Sequence, residues 1–275
     1  MIEINHLSFS YGSLAVLENI SLKLAEGRIY GLLGENGVGK TTLLTLLAGL
    51  KKPRSGEISV DGQTPFSRHP SLLQDQYYLP DEVMPFNLSA ISFAKREGAF
   101  WPGYDAEKFV KIMNEFETDP SKKMNKMSAG QLKKTYIAFA LACNPKYLYM
   151  DEPTNGLDIP SKAQFRKAVT LYTREDATIV ISTHQVRDLE NIIDPVIILD
   201  RRDVLLNESI ERIAEKLFFD YGSTLHPDAL YSEQLPGGFI QVYPNVSGEE
   251  SKVNIEAVFN AVHKHKDLIK NLFKD

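Results

Sequence analysis

The sequence predicts an α/β fold whose core is a mainly parallel β-sheet. Short apolar segments typical of buried strands alternate with helical segments, an order that places helices on both faces of a parallel sheet. A glycine-rich turn also joins a strand to a helix early in the chain. The strands predicted for this sheet are residues 28–33, 147–151, 178–182 and 196–199. The predicted helices are residues 43–50, residues 128–143, a segment after residue 160 and a segment from about residue 186.

Two smaller units precede and interrupt the predicted sheet. Residues 2–9 and 16–24 alternate between apolar and polar side chains, as half-buried strands do. Residues 57–60 predict a further strand that ends in a hairpin turn. Residues 81–127 are rich in helix formers and predict a small helical insertion.

The last part of the chain gives weaker patterns. Residues 208–218 are amphipathic, residues 239–243 resemble a strand, and residues 254–273 predict a helix. Nothing in these residues suggests chemistry. We therefore expect a main domain at residues 1–210 and a small C-terminal extension at residues 211–275.

Composition limits the classes of function. The 275 residues carry a formal net charge of -5, which argues against a nucleic-acid binder, so no nucleic-acid partner is expected. The one cysteine, Cys143, lies in an apolar run and predicts a small buried residue and a reducing compartment. The N-terminus lacks the pattern of a signal peptide, and no apolar run approaches the roughly 20 residues that cross a bilayer. We expect any membrane role to depend on a partner.

The glycine-rich turn carries the clearest chemical signal. Residues 34–41 read Gly-Glu-Asn-Gly-Val-Gly-Lys-Thr, which matches the phosphate-binding P-loop with a strand before it and a helix after it. In such a loop, backbone N–H groups bind phosphate oxygens, Lys40 reaches the β- and γ-phosphates, and Thr41 can ligand Mg²⁺. The alternative, a turn that merely caps a helix, does not require this spacing. The motif alone does not separate an ATPase from a GTPase or a kinase.

Two acids end the apolar strand at residues 147–151. In P-loop enzymes an Asp at this place, here Asp151, holds the Mg²⁺ hydration shell. Glu152, directly after it, can orient or deprotonate an attacking water, which favours hydrolysis over transfer to another substrate. The alternative is that both acids cap the following helix. Beside a P-loop, the nucleotide role is favoured.

Together the motifs resemble those of ABC transporter ATPases. Residues 127–131, Met-Ser-Ala-Gly-Gln, resemble the signature sequence LSGGQ, and residues 151–158 resemble the Walker B and D-loop run. Residues 182–184, Ser-Thr-His, resemble the switch-histidine motif, and Tyr11 resembles the aromatic residue that stacks on adenine. With the P-loop, five motifs stand in family order over roughly residues 1–210.

The resemblance implies a P-loop NTPase fold of the ABC nucleotide-binding type. Such a domain has a mainly parallel sheet core, an N-terminal antiparallel β subdomain and a helical subdomain, here at about residues 81–145. It implies an ATPase that dimerises around two ATP molecules with Mg²⁺. Signature residues of one subunit would contact the γ-phosphate of ATP bound to the opposite subunit. A helix N-terminus brought to phosphate in this way is chemically sensible.

The resemblance also assigns roles residue by residue. The implied catalytic residues are the general base Glu152, the γ-phosphate ligand His184, and Lys40. The implied nucleotide contacts are Tyr11, Asn36, Gly37, Gly39, Lys40, Thr41, Thr42, Ser128, Gly130, Gln131 and the interface residue Asp158. The implied metal-linked residues are Thr41, Asp81 and Asp151.

Four of these residues have simpler explanations. Ser128 and Gln131 form the S-x-x-Q pattern of a helix capping box, a role compatible with phosphate contact. A lone histidine such as His184 is more often structural, and aromatic residues like Tyr11 are common near strand ends. The motif context favours the binding roles.

The chain departs from the family pattern at two places. The signature has Met127 and Ala129 where Leu and Gly are usual, and the added methyl of Ala129 narrows the approach to phosphate. Asp81 stands where the family usually has Gln, at a residue that helps coordinate Mg²⁺ and signals to the membrane partner. A carboxylate can still bind Mg²⁺. The neighbouring Gln74 and Gln76 are alternatives for this position.

The family also implies partners. We expect a second ATPase subunit, either another copy or a paralogue, and a transmembrane permease through which ATP hydrolysis drives transport, more specifically export. The protein would be cytoplasmic and peripheral on the inner face of the membrane. Met84, Pro85, Phe86 and Trp101 either form an apolar docking patch for the permease or pack the core of the insertion. The alternative function is a soluble ABC ATPase acting on a ribosome or DNA, for which the single P-loop and absence of a basic block give no support.

Overall fold

The structure is a computed structural model, and it describes residues 1–200 and 202–274. The strands are β1 (Ile2–Tyr11), β2 (Leu14–Leu24), β3 (Ile29–Leu33), β4 (Ser55–Val60), β5 (Gln76–Leu79), β6 (Tyr147–Asp151), β7 (Thr178–Thr183), β8 (Val196–Asp200), β9 (Asp203–Glu208), β10 (Leu217–Gly222), β11 (Tyr231–Leu235) and β12 (Gly238–Pro244). The α-helices are α1 (Lys40–Leu47), α2 (Pro70–Gln74), α3 (Ala90–Gly98), α4 (Ala106–Glu115), α5 (Ala129–Ala142), α6 (Ile159–Tyr172), α7 (Ile210–Lys216), α8 (Ile255–Lys264) and α9 (Lys266–Leu272).

The central sheet has six strands in the order β5-β6-β7-β3-β8-β9. The first five strands run parallel, and only β9 is antiparallel to its neighbour. Every residue of β6, β7 and β8 is buried, as expected for strands covered by helices on both faces. The predicted mainly parallel sheet is confirmed. The apolar strands pair in parallel, as their alternation with helices along the chain predicted.

A smaller antiparallel sheet, in the order β2-β1-β4, covers one face of the central sheet. Its buried side chains share one hydrophobic cluster with the leucines of α1 and with tyrosines of β6, which include Tyr149. Helix α1, which follows the P-loop, therefore lies against both sheets. This burial explains why the leucine repeat after the P-loop is helical, and it anchors the loop on a rigid element.

The helical insertion contains α3 and α4, and it packs together with α5 on the other face of the central sheet. Phe139 of α5 is 1% exposed and lies in an aromatic cluster. Its ring centroid is 5.0 Å from that of Phe93 and 5.8 Å from those of Tyr77, Trp101 and Tyr104. Trp101 also donates its indole N–H to the carbonyl oxygen of Gln76 at 3.1 Å, so the insertion is tied to strand β5.

The predicted helix from Val186 is wrong. The structure has a single 3₁₀ turn at Val186–Asp188 followed by further turns. Most of the backbone hydrogen bonds in this segment reach three residues back, as in Leu189 to Val186 at 3.0 Å and Ile192 to Leu189 at 2.9 Å, and only Ile193 among the described residues of the segment bonds four back, to Leu189 at 3.2 Å. The apolar spacing at Val186, Leu189 and Ile193 is compatible with either geometry, and Pro195 leaves too few residues for a long helix.

The C-terminal extension combines a three-stranded sheet, in the order β10-β12-β11, with α7, α8 and α9. The predicted strand at 239–243 lies within β12, and the predicted helix at 254–273 is divided into α8 and α9. Buried residues such as Val242 and Val258 belong to the same hydrophobic cluster as the helical insertion and the central sheet. The domain division at residue 210 stays a prediction. Within the described residues, no helix is long and apolar enough to cross a membrane.

The aromatic cluster generates a stability prediction. We expect Phe139→Ala to lower the free energy of unfolding by about 3–5 kcal/mol, because it removes a buried ring and leaves a cavity. Urea denaturation followed by fluorescence measures this, since Trp101, the one tryptophan of the chain, lies against the ring. Phe139→Leu is the control, with a smaller loss. An unchanged midpoint for Phe139→Ala would contradict the described packing.

Candidate nucleotide site

The P-loop between β3 and α1 has the open backbone that phosphate binding requires. Gly37 has a φ of 80°, and nothing lies within 4 Å of where its Cβ would be. Gly39 is the N-cap of α1 with a φ of 115°, and no described side chain caps this helix. Its first N–H groups are therefore free for an anion, which fits the triphosphate of a nucleotide. Gly34 is required for another reason, since a Cβ there would lie 2.7 Å from the carbonyl oxygen of Leu199.

Lys40 begins α1, and its ammonium group is held inside the loop. The Lys40 Nζ donates to the carbonyl oxygens of Gly34 at 2.7 Å and Glu35 at 3.2 Å. It also lies 3.5 Å from Glu152 Oε1, and its side chain is only 6% exposed. A buried cation needs such partners, and an incoming phosphate would provide a stronger one.

Asp151 ends strand β6 and is almost completely buried, with 2% exposure. Its Oδ1 accepts a hydrogen bond from Ser182 Oγ at 2.6 Å, and its Oδ2 accepts one from the Tyr78 hydroxyl at 3.5 Å. Burial first, and then the charge of Asp151, raise the pKa of Tyr78, so that hydroxyl remains a donor. Parallel strands β5, β6 and β7 bring these groups together at their carboxyl ends.

Glu152 follows in the left-handed backbone region, with a φ of 44° and 9% exposure. Its N–H donates to Ser182 Oγ at 3.0 Å, and its Oε2 lies 2.9 Å from His184 Nδ1. Its Oε1 is near Lys40 but has no hydrogen-bond partner among the described residues. This oxygen is the acceptor that a water molecule would use. The geometry rejects the alternative that Glu152 simply caps the next helix, because Asp158 is the N-cap of α6.

The signature segment forms the start of α5. Ser128 is the N-cap, and the capping box is complete: Ser128 Oγ accepts from the Gln131 N–H at 3.2 Å, and Gln131 Oε1 accepts from the Ser128 N–H at 3.2 Å. Lys122 donates to the same Gln131 oxygen at 2.9 Å. Ser128 is exposed, which leaves the helix start accessible to a second molecule.

Tyr11 lies at the edge of the P-loop. Its ring is 47% exposed and meets Phe9 edge-on, and its hydroxyl lies 3.3 Å from Thr42 Oγ1. Lys51 Nζ lies 4.5 Å from the ring centroid and donates to the hydroxyl. Partial burial favours the neutral phenol, but the hydrogen bonds from Lys51 and Thr42 outweigh it and lower the pKa of Tyr11. An exposed aromatic ring beside the loop fits a nucleobase.

Asp81 stands two residues beyond β5, at the same edge of the sheet. Its Oδ1 lies 3.2 Å from Lys133 Nζ, and Asn155 donates to its carboxylate at 3.3 Å. Lys133 belongs to the signature helix and is 4% exposed, so Asp81 compensates a buried charge. Gln76 is instead a buried residue of β5 that donates to the carbonyl oxygen of Ala48, which supports Asp81 as the residue at the family's Gln position.

Comparison with known proteins agrees with this geometry. The family described as ABC transporter matches residues 17–155. The ABC transporter ATP-binding protein MJ1023 of Methanocaldococcus jannaschii, itself uncharacterized, is 30% identical over 237 residues, covering 84% of this chain and 88% of that protein. The chain belongs to the ABC transporter family. It is an ABC-type ATP-binding subunit and an ATPase, as the motifs predicted.

Two further comparisons extend over most of the ABC chain. The bacitracin transport ATP-binding protein BcrA of Bacillus licheniformis is 27% identical over 286 residues, covering 95% of this chain and 90% of that protein. The dimeric ATP-binding cassette MJ0796, solved in a post-hydrolysis state with ADP and Pi, has a TM-score of 0.67 at 22% identity. It covers 76% of this chain and 98% of its own, and it shows the ABC fold.

The ABC fold brings part of the predicted site together. Lys40, Asp151, Glu152 and His184 meet at the carboxyl edge of the sheet, directly or through Ser182. Asp158 lies apart as the exposed N-cap of α6, where the hydrogen bond from Ser161 lowers its pKa. Asn36 and Thr41 are exposed in the P-loop and at the start of α1. The individual roles of these residues stay predictions.

Three contributing residues were not assigned roles from the sequence. Ser182 connects both acids, Tyr78 donates to Asp151, and Lys133 binds Asp81. For Ser182 a signal existed, since it begins the switch-histidine motif and lies opposite Asp151 in the register of β6 and β7. The Lys133 contact had no such signal, because it joins residues 52 positions apart.

Ser182 provides a testable prediction. We expect Ser182→Ala to reduce ATP hydrolysis by about tenfold and stability by about 1–3 kcal/mol, because Asp151 and the Glu152 N–H both lose a buried partner. Steady-state phosphate release and urea denaturation measure the two effects. The control is Ser67→Ala, at an exposed residue that only donates to the carbonyl oxygen of Thr64. Normal hydrolysis by folded Ser182→Ala would show that this hydroxyl does not position the acids.

Proposed function

We propose that this chain binds ATP with Mg²⁺ and hydrolyses it as one of two ATPase subunits that drive export through a separate transmembrane permease. The observation that carries the proposal is Glu152, whose buried carboxylate lies between Lys40 and His184 and whose Oε1 accepts no hydrogen bond from the described residues. A buried carboxylate placed between a lysine and a histidine beside the P-loop suits hydrolysis of a phosphoanhydride.

The chain's own residues divide the work on ATP. Tyr11 stacks on the adenine, and the N–H groups of residues 36–42 bind the phosphates. Lys40 leaves the carbonyl oxygens of Gly34 and Glu35 for the β- and γ-phosphates. Glu152 holds the attacking water and accepts its proton, while His184 donates to the γ-phosphate. A base so near the phosphate favours hydrolysis over transfer to a second substrate.

Mg²⁺ would be held by Thr41, Asp151 and Asp81. In the described part of the chain, no group of three His, Cys, Asp or Glu side chains is arranged to hold a metal. A metal here therefore needs phosphate oxygens and water among its ligands, which is how Mg²⁺ is usually bound in nucleotide sites. A Mg²⁺ ion held there would neutralise charge on the phosphates. Asp81 is engaged by Lys133 and Asn155, and it would act on the metal through a change of those contacts.

The exposed signature supports a composite site in a dimer. The start of α5 presents Ser128 and Gly130 away from the compact core, and a Cβ at Gly130 would approach only the D-loop Gly156 and Leu157, at 3.9 Å or more. These N–H groups would bind the γ-phosphate of ATP held by a second subunit, either a copy of this chain or a paralogue. The cassette MJ0796, which has the ABC fold, was solved as a dimer.

The permease would dock beside the helical insertion, on the inner face of the membrane. A cavity of about 510 Å³ there is lined by Leu50, Tyr77, Phe100 and Trp101 among others. Leu50 is 50% exposed, Phe100 67% and the nearby Met84 77%, so apolar surface is available for a partner helix. Trp101 packs against Phe139 and donates to the carbonyl oxygen of Gln76, which favours the core-packing alternative for this residue. The name of the relative BcrA, a bacitracin transport ATP-binding protein, supports transport of an antibiotic.

Size-exclusion chromatography of Glu152→Gln tests the proposal. We expect this variant to lose hydrolysis and to shift from monomer to dimer only with ATP and Mg²⁺, because ATP stays trapped between subunits. The control is Glu175→Gln, at an exposed residue, which should hydrolyse like wild type. A variant that stays monomeric beside an active wild type requires a paralogous partner. A variant that hydrolyses at the wild-type rate would show that Glu152 is not the base.

A further inference from the structure

The segment that follows His184 is held from two sides. On one side, helix α6 supplies Lys162, whose Nζ lies 2.6 Å from Asp188 Oδ2 and 3.0 Å from Gln185 Oε1. Arg166 of the same helix donates to the carbonyl oxygen of Asp188 at 2.9 Å. These contacts fix the turns at residues 185–189 without the helix that the sequence predicts.

On the other side lies helix α8 of the C-terminal extension. Glu256, in the first turn of α8, accepts a hydrogen bond from Arg187 Nε at 2.6 Å. A cavity of about 490 Å³ opens between the two segments, and its lining includes Gly34, His184, Arg187, Glu256 and Asn260. The first turn of α8 therefore lies across this cavity from the P-loop and the switch histidine.

Helix α8 is fixed firmly enough to act as a support. Val258 and Val262 are fully buried in the main hydrophobic cluster, and Asn254 caps the helix by accepting from the Ala257 N–H at 2.8 Å. The following helix α9 is attached to the central sheet through ion pairs of Lys266 with Asp200 and of Lys270 with Asp203. Because α8 is fixed to the ATPase core in this way, it resists movement of residues 185–189.

We propose that α8 positions the switch histidine, and that Glu256, acting through Arg187, is a positioning residue for ATP hydrolysis. The C-terminal extension then sets the place of His184, which lies three residues before Arg187 and contacts Glu152 at 2.9 Å. The inference rests on the proposed role of His184 at the γ-phosphate. Residues 211–275 would then contribute to hydrolysis by holding the switch segment in place, although they carry no catalytic group themselves.

The exposure of the pair separates this role from a purely structural one. The side chains of Arg187 and Glu256 are 79% and 42% exposed, and ion pairs this exposed add little to stability. Removing the pair should therefore leave the unfolding transition almost unchanged. An effect on hydrolysis would then come from the position of the switch segment and not from loss of the fold.

Charge reversal at the two residues tests the proposal. We expect Glu256→Arg and Arg187→Glu each to lower kcat for ATP hydrolysis by about threefold or more, with KM for ATP changed by less than about twofold, because the P-loop is untouched. The double variant Arg187→Glu/Glu256→Arg restores the pair and should recover kcat. The control is Glu18→Arg, which breaks another exposed long-range ion pair, the one between β2 and Arg202 at 2.8 Å.

A second readout does not depend on catalysis. Hydrogen exchange of residues 184–193 in nucleotide-free protein should be faster in Glu256→Arg than in wild type and should return to the wild-type rate in the double variant. Unchanged kcat and unchanged exchange in the single variants would overturn the proposal, as would a double variant that recovers neither. If exchange of residues 184–193 is faster in Glu256→Arg but the wild-type protein hydrolyses no ATP, the proposed function is wrong, whereas the proposal that α8 positions this segment is retained.

Discussion

The site depends on the contacts that the buried carboxylate of Glu152 makes with Lys40 and His184. A charge with 9% exposure is costly to bury unless it is paired, and breaking a buried pair typically costs about 3–5 kcal/mol. Here the P-loop supplies Lys40, the end of β7 supplies His184, and Ser182 binds the Glu152 backbone. The same three groups lie where a triphosphate and its attacking water would be bound. The groups that compensate the charge of Glu152 are therefore already in place before the nucleotide binds.

The parallel sheet makes this arrangement possible. Strands β3, β6 and β7 are neighbours in the order β6-β7-β3, so their carboxyl ends bring the P-loop, the two acids and the switch histidine to one edge. Ligands of open α/β sheets bind at this edge. The helical insertion and the C-terminal extension lie around the same edge. The first reaches it through Lys133 and Asp81, and the second through Glu256 and Arg187.

Much of this site could be predicted from the sequence, because its chemistry is written in contiguous motifs. The P-loop, the acids at the end of β6 and the capping box at Ser128 each depend on residues within a few positions of one another. The remaining contacts join distant segments. Nothing local indicates that Lys133 binds Asp81, or that Glu256 binds Arg187 across 69 positions. The prediction of a helix from Val186 is wrong for the same reason. The apolar spacing of this segment fits both a helix and a series of turns, and contacts with the distant helices α6 and α8 hold it in the turns.

The role of Glu152 as the base can be tested most directly by single-turnover hydrolysis of bound ATP in Glu152→Ala, with and without added formate. We expect a rate lower by about 10²–10⁴-fold, because the group that orients and deprotonates the water is gone. Formate, a small carboxylate, should restore part of that rate. Hydrolysis by Glu152→Ala at the wild-type rate would show that the water is activated without this carboxylate and that Glu152 is not the base.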